Sequence, residues 1–256
     1  MKFDYISDIH LDFHCTEYRT THKNFYKDIE AFAKRLLPPK PSPTLLIAGD
    51  TGHRFEQDSY LLTELLKTYS NILLVPGNHE FYRGFDMATT VDGWSYALRP
   101  NVRYYNNQVI SLGVEIDLIV TPLWAQIPFD KAAETVMRVN DFRNIRCEND
   151  ILRWTRFNEE HFRCFRFLTE AVKQSKAKHI VVMTHHVPSS LLMAPEFQDS
   201  PINGAFMVDL TDYIEASPIE YWIYGHSHRN IDATIRNTRL GSKTNKAVPR
   251  NGLMWT

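Results

Sequence analysis

An α/β fold is what this sequence predicts, on three observations. The first 75 residues alternate strand, helix, strand, helix, strand, the order of a right-handed parallel sheet. Apolar runs at 44–48, 72–75, 179–183 and 221–224 are short, β-prone and bounded by turn residues, as buried strands are. Between about 102 and 121, strand-like segments separated by Asn106-Asn107 and Gly113 predict antiparallel pairing.

Taken in order, Phe3, Tyr5 and Ile6 form a first strand that runs into Ser7-Asp8-Ile9-His10. Residues two apart on an extended chain point the same way, so Asp8 and His10 can converge on one point. From Lys23 to Leu37, apolar residues recur at helical spacing, and Pro38-Pro39 ends that helix. The strand 44–48 ends in Gly49-Asp50, where glycine lets the chain turn and the carboxylate projects from the tip. The helix expected at about Ser59 to Tyr69 is amphipathic through Leu61, Leu62, Leu65 and Leu66. The strand 72–75 then stops at Pro76-Gly77 and delivers Asn78, His79 and Glu80. Ligands in open α/β sheets sit just beyond such strand ends.

Met87 to Leu98 reads as a further helix, followed by strands at about Val102–Tyr105, Val109–Leu112 and Val114–Thr121. A charged, mostly helical insert spans about 128–175. Most of its arginines read as a solvated face laced with Glu134, Glu148, Glu159 and Glu160. Asn140-Asp141-Phe142-Arg143 breaks the helical pattern, and Arg143, able to grip phosphate through two donors, is the candidate substrate anchor. The strand 179–183 ends in Thr184-His185-His186. After an amphipathic helix near Phe206 to Ile214, the strand 221–224 ends in Gly225-His226-Ser227-His228. Short strands at 231–235 and 238–240 close a locally basic tail that includes Arg229, Arg236, Arg239, Lys243, Lys246 and Arg250. Five strand tips therefore carry Asp8 and His10, Asp50, Asn78 and His79, His185, and His226 and His228, a concentration that solvated loops do not explain.

Composition narrows the classes. At 256 residues and 43% hydrophobic content the chain supports a sizeable core, and a single domain over 1–256 is expected. A net charge of −1 supplies no general field for nucleic acid or anionic membrane. No apolar run approaches the roughly 20 residues that span a bilayer. Three scattered cysteines, Cys15, Cys147 and Cys164, with no CxxC, point to a reducing, cytoplasmic setting and away from a thiolate zinc site.

Asp8-x-His10, Gly49-Asp50, Gly77-Asn78-His79-Glu80, His185 and Gly225-His226-x-His228 together resemble, in order, the signature of the calcineurin-like metallophosphoesterases. The resemblance runs from Met1 to about Gly252 and is similar to a small, single-domain bacterial or phage branch; Glu80 stands where many members carry Asp. It implies two facing mixed β-sheets flanked by helices, with a dinuclear site at the strand ends. It further implies that Asp50 bridges two ions, that Asp8, His10 and His228 complete one and Asn78, His185 and His226 the other. His79 is then the imidazole that contacts phosphate and protonates the leaving group. His186 is a supporting group or substrate contact, and which histidine of the pair 185–186 binds metal stays open.

The chemistry asked of such a set is clear. A phosphate ester repels hydroxide, and two cations about 3.5–4 Å apart can clamp phosphoryl oxygens and hold a bridging hydroxide for in-line attack. Mixed nitrogen and oxygen donors favour Mn²⁺, with Fe, Zn²⁺ or Ni²⁺ as alternatives, over Mg²⁺. Metal-dependent hydrolysis of phosphomonoesters or phosphodiesters is the expectation. A small nuclease is the alternative that the basic tail supports. A scaffold with a degenerate metal site is disfavoured because every expected ligand is present.

Overall fold

Along Thr44–Ala48 every residue is buried, so alternation alone decides which side each side chain serves. Leu45 and Ile47 join one apolar cluster while Leu46 and Ala48 join another on the opposite face. The neighbouring Asn71–Val75 repeats this, with Ile72 and Leu74 on one side and Leu73 and Val75 on the other. A strand buried on both faces needs a layer above and a layer below it.

The computed structural model, which describes residues 2–15, 23–52 and 55–244, supplies both layers. The first sheet has the order β1 (Phe3–Ile6), β2 (Thr44–Ala48), β3 (Asn71–Val75), then β5 (Val102–Tyr105) and, at the edge, β4 (Ser95–Arg99). Its strands are parallel except for β4. The second sheet runs β12 (Ile231–Ile235), β13 (Thr238–Ser242), β11 (Tyr221–Ile223), β10 (His179–Met183), β7 (Ile116–Val120) and β6 (Gln108–Ser111). Parallel strands fill its centre, with antiparallel β12 and β6 at its edges. A two-stranded hairpin, β8 (Arg146–Cys147) with β9 (Asp150–Ile151), stands apart.

The inner faces of the sheets meet through Leu46, Ala48, Leu73 and Val75 against Leu118, Val120, Val181, Met183 and Ile223. Outside the first sheet lie α2 (Phe25–Leu36) and α3 (Phe55–Leu65), which bury Phe25, Ile29, Phe32, Leu61, Leu62 and Leu65. Outside the second lies α7 (Trp154–Gln174), whose Phe157, Cys164, Leu168 and Val172 recur at helical spacing and are buried. Short helices α1 (Leu11–His14), α4 (Glu80–Arg83), α5 (Ala132–Arg138), α6 (Asp141–Asn144) and α8 (Thr211–Ala216) sit in the connections. The result is the expected pair of facing mixed sheets between helices.

The structure corrects four expectations. Residues 87–98 are not a helix: a turn through Asp92 and Gly93 (φ 77°) leads into β4, and Trp94 and Leu98 pack on the first sheet's outer cluster. The β-branched run Thr89-Thr90-Val91 and the period-two spacing of Trp94, Tyr96 and Leu98 explain why. Asn106-Asn107 is not a hairpin turn; it carries the chain from β5 in the first sheet to β6 in the second. Residues 206–214 are helical only from Thr211, because the backbone before it pairs with Val187 at Val187 N to Phe206 O and Val208 N to Val187 O, both 3.1 Å. The insert is interrupted by the β8–β9 hairpin. As expected, its cations are largely ion-paired: Arg138 meets Glu134 at 2.8 Å, and buried Glu160 takes both Arg156 and Arg163. Lys246, Arg250 and Gly252 lie outside the described residues. Among the described residues, no helix is long and apolar enough to cross a membrane.

Candidate metal centre and active site

The carboxyl ends of β1, β2, β3, β10 and β11 meet at one place, and the chain leaves several of them on unusual backbone. Asp8, His10, Asp50, His226 and His228 all have left-handed φ, between 45° and 62°. L-residues pay about 1–2 kcal/mol each for that conformation. Five together approach the whole stability of an ordinary domain, about 5–15 kcal/mol, so this clustering marks a functional site. Packing around the tips is tight. A Cβ on Gly49 (φ 82°) would collide with His185 Nδ1 and the Gly77 backbone, and one on Gly77 would collide with Asp50 Oδ1. Glycine at both positions lets strand ends β2 and β3 approach the imidazole.

Asp50 is at the middle. Its Oδ2 lies 3.5 Å from His10 Nε2 and 3.4 Å from His185 Nε2, while its Oδ1 accepts the His79 amide at 3.0 Å. On one side Asp8, His10, Asp50 and His228 bring donor atoms within 4.8 Å of one another; on the other Asp50, His185 and His226 do the same. His10 Nε2 and His228 Nε2 are 3.2 Å apart, as are His185 Nε2 and Asn78 Oδ1; His185 Nε2 and His226 Nδ1 are 3.1 Å apart. The same Asp50 oxygen, Oδ2, thus faces one imidazole of each group.

These donors fit divalent cations. Asp50 Oδ2 is fully buried and accepts no hydrogen bond, which is costly for a carboxylate oxygen unless a cation satisfies it. The surrounding imidazoles are arranged as ligands. The carbonyl of Ala48, 2.9 Å from His185 Nδ1, accepts a hydrogen bond from that nitrogen, so Nε2 is the ring atom turned toward Asp50 and open to a cation once its proton is lost. Burial holds the imidazoles of His10 and His226 well below their usual pKa, in the neutral form that binds metal. His185 differs. Burial would lower its pKa, but Asp50, Asp8 and the Ala48 carbonyl together lift it to about 9. Burial likewise works to raise Asp50, but His185, His79 and His10 hold it well below the usual carboxylate range. Burial raises Asp8, opposed by His228 and His185; Ser7 Oγ (2.6 Å) and the His226 amide (2.7 Å) donate to its two oxygens.

The other expected site residues are placed as follows. His79 is half-buried, its ring edge-on to His10 (centroids 4.5 Å) and stacked on Tyr82 (4.5 Å, 25°). His186 is fully buried behind the centre: its Nδ1 lies 3.3 Å from the Pro122 carbonyl, and its ring packs on Trp124 and His226. Of the histidine pair, it is His185 that the fold groups with Asp50. Arg143 is exposed and donates to the Met137 carbonyl of the preceding helix and to Asn140 Oδ1 (3.1 Å) at the start of its own.

Three residues with evident roles escaped the sequence reading. Glu80, noted there only as a departure, accepts the amides of Asp50 (3.0 Å), Thr51 (2.8 Å) and Gly77 (2.7 Å) and so ties the β2 and β3 tips together. Burial, with the Asp50 charge, raises its pKa to about 7. Its reach back across three residues to Gly77 has the spacing of a capping box, the signal that could have found it. Asp141 and Tyr82, the second and third, meet at Asn78. Asp141 Oδ1 accepts from Asn78 Nδ2 at 2.8 Å and from the Tyr82 hydroxyl at 2.7 Å. Segment 140–143 stood out in the sequence, but for its arginine.

Comparison with known proteins agrees with this geometry. The profile of the calcineurin-like phosphoesterase family matches residues 1–230. An uncharacterised protein of Acanthamoeba polyphaga mimivirus is 26% identical over 243 residues, 88% of this chain and 83% of that protein. The acyl-carrier-protein phosphodiesterase PptH of Mycobacterium tuberculosis is 28% identical over 94 residues, 37% of this chain and 28% of that protein. The crystal structure of the phosphopantetheinyl hydrolase PptH from Mycobacterium tuberculosis has a TM-score of 0.61 at 16% identity, covering 96% of this chain and 92% of that one, a likeness of fold. The chain belongs to the calcineurin-like phosphoesterase family. It is a hydrolase of phosphoric esters with divalent metal ions in a dinuclear site.

Proposed function

As a premise taken from that family membership, we propose that the chain hydrolyses small phosphodiesters at two divalent ions, Mn²⁺ being the preferred pair. Asp8, His10, His228 and Asp50 would hold one ion, and Asp50, Asn78, His185 and His226 the other. The observation that carries this reading is the buried Asp50 Oδ2, set 3.5 and 3.4 Å from one imidazole of each group. When bound, the ions neutralise phosphoryl charge and lower the pKa of a water so that it can attack at neutral pH.

The chain's own groups do the rest. Asp50 keeps the two ligand groups in register, its second oxygen held by the His79 amide. That same contact anchors the backbone of His79 beside the centre. His79, half-buried and braced between Tyr82 and His10, donates a proton to the leaving alkoxide, and with Asn78 it contacts the phosphoryl group. Its partial exposure suits a group that must meet substrate, whereas the ligands Asp8, His10, Asp50 and His185 are fully buried. His186, fully buried, packs on His226 from behind and braces that ring. Arg143, exposed on α6, makes the outer contact to substrate.

Small esters are favoured over nucleic acid because the basic tail is partly neutralised. Arg239 is paired with Asp232, to which it donates at 2.8 and 2.6 Å. Diesters are favoured over monoesters by the name of the Mycobacterium tuberculosis relative, a phosphodiesterase of a carrier protein. The test loads metal-free protein with Mn²⁺ and measures turnover of bis(p-nitrophenyl) phosphate, p-nitrophenyl phosphate, cyclic nucleotides, a phosphopantetheinylated carrier protein and single-stranded DNA. Two bound ions with fastest turnover on a small diester are expected. Two bound ions with no turnover, or with turnover of DNA alone, would contradict the reading.

A further inference from the structure

We propose that Asp141 is a positioning residue for the metal centre: its carboxylate selects which end of the Asn78 amide faces the ions and, through Tyr82, fixes the His79 ring. The proposal rests on the roles given above to Asn78 and His79 and extends them to the insert.

An asparagine side chain has two ends of nearly equal shape and opposite polarity, an oxygen that attracts a cation and an NH₂ that repels one. Nothing in its size decides which end turns inward. A carboxylate can only accept, so whichever end meets Asp141 must be the NH₂. Asn78 Nδ2 lies 2.8 Å from Asp141 Oδ1, which leaves Asn78 Oδ1 beside His185 Nε2 at 3.2 Å, the same nitrogen that faces Asp50. The Tyr82 hydroxyl closes a triangle: it donates to Asp141 Oδ1 at 2.7 Å and accepts from Asn78 Nδ2 at 3.3 Å. The ring carrying that hydroxyl is stacked on His79. One carboxylate oxygen thus holds Asn78 directly and His79 through the Tyr82 ring.

Its placement suits the task. Asp141 is 1% exposed, which excludes water as a competing donor, and the next residue, Phe142, is buried against Phe157 of α7. The carboxylate is therefore fixed by the core of the second layer and not by its own short helix. Outer partners of this kind orient ligands in metal sites, and losing one typically costs about 10–100-fold in metal affinity or activity.

The test is calorimetric titration of metal-free protein with Mn²⁺, together with kcat and KM on bis(p-nitrophenyl) phosphate and the melting temperature of the metal-free form. Asp141→Asn keeps the shape but can present either polarity, and it is expected to weaken one of the two Mn²⁺ sites about 10–100-fold and lower kcat more than it raises KM. The double variant Asn78→Asp with Asp141→Asn reverses the pair: the amide introduced at 141 now donates to the carboxylate introduced at 78, and affinity is expected to recover above that of Asp141→Asn alone. A merely structural role would lower the melting temperature without moving Mn²⁺ affinity, and the double variant would not recover. Should Asp141→Asn fail to fold, Tyr82→Phe keeps the stacked ring and removes the hydroxyl, with about three- to tenfold weaker binding at one site expected. Unchanged affinity at both sites in Asp141→Asn, or in Tyr82→Phe where that variant stands in, overturns the proposal. Wild-type protein that binds fewer than two Mn²⁺ overturns the ligand assignment itself, and this proposal with it.

Discussion

Asp8, His10 and His228 all reach the centre on left-handed backbone, whereas across Asp50 His226 alone does so and Asn78 and His185 do not. The two halves are therefore held by different means. In the first, shape comes from the turns themselves, locked by bonds such as Asp8 N to Gly49 O (3.1 Å) and His10 N to Asp50 O (3.0 Å). In the second, His226 apart, direction comes from polar groups behind the ligands: the Ala48 carbonyl on His185 and the Asp141 carboxylate on Asn78. The halves differ in charge as well. Burial keeps His10 neutral, while Asp50 keeps His185 protonated to about pH 9. A half built on strained turns is vulnerable to backbone changes, and a half built on outer hydrogen bonds is vulnerable to a change one layer away.

The shared residue should give the largest effect. Asp50→Asn removes the charge that both halves use, and turnover is expected to fall to background with Mn²⁺ content reduced and the fold kept by circular dichroism. Two ions retained with normal turnover would dissolve the comparison. Next comes His79, which belongs to neither half as a ligand. His79→Ala should leave Mn²⁺ content near wild type and lower the rate by roughly 10²–10⁴ on an alkyl ester. The loss should shrink with a nitrophenol leaving group, which needs less protonation. Equal losses on both esters would reduce His79 to a phosphate contact.

The charge difference is sharpened by protons. At pH 7.5 metal-free His185 carries a proton that a ligand cannot keep, whereas neutral His10 has none to lose. Filling the second site should release the His185 proton, over and above any lost by a metal-activated water, and that His185 share should fade above pH 9. The sign also fixes stability. A folded pKa raised above the unfolded value of roughly 6.5 means that the Asp50–His185 contribution in metal-free protein is complete below 6.5 and lost as pH rises through about 9. Calorimetry in buffers of different ionisation enthalpy reads the proton count, and zero release would place His185 with His10. The smallest effect is expected outside both halves. Arg143→Ala should raise KM by no more than about tenfold and leave the melting temperature unchanged, as for one exposed charged hydrogen bond to substrate. A lower melting temperature with unaltered kcat/KM would assign Arg143 to its contacts with Met137 and Asn140.

Much of this was legible in the residues, for a physical reason. Strands β2, β3, β10 and β11 are apolar runs of three to five residues, and a polar residue directly after such a run must stand at a sheet end. That logic brought Asp8, His10, Asp50, Asn78, His185, His226 and His228 to one place. It could not show that Asp50 faces both groups with a single oxygen, because side-chain torsion is set by neighbours such as the His79 amide. Nor could it show Asp141 at Asn78, a contact across 63 positions made by the way the insert folds back. The segment 87–98 failed in the opposite direction: helical-looking apolar spacing was overridden by Gly93 and by pairing with β5. The missed crossing at Asn106-Asn107 has the same origin, since a polar turn signal says that the chain turns but not which sheet it enters.

The central claim is that one Asp50 oxygen joins two metal groups, and electron paramagnetic resonance of protein loaded with two Mn²⁺ tests it most directly. Ions sharing a ligand atom are magnetically coupled, so wild-type protein should give the spectrum of an exchange-coupled pair, and Asp50→Asn should lose it in favour of isolated Mn²⁺. Isolated-ion spectra from fully loaded wild-type protein would contradict the shared-oxygen centre.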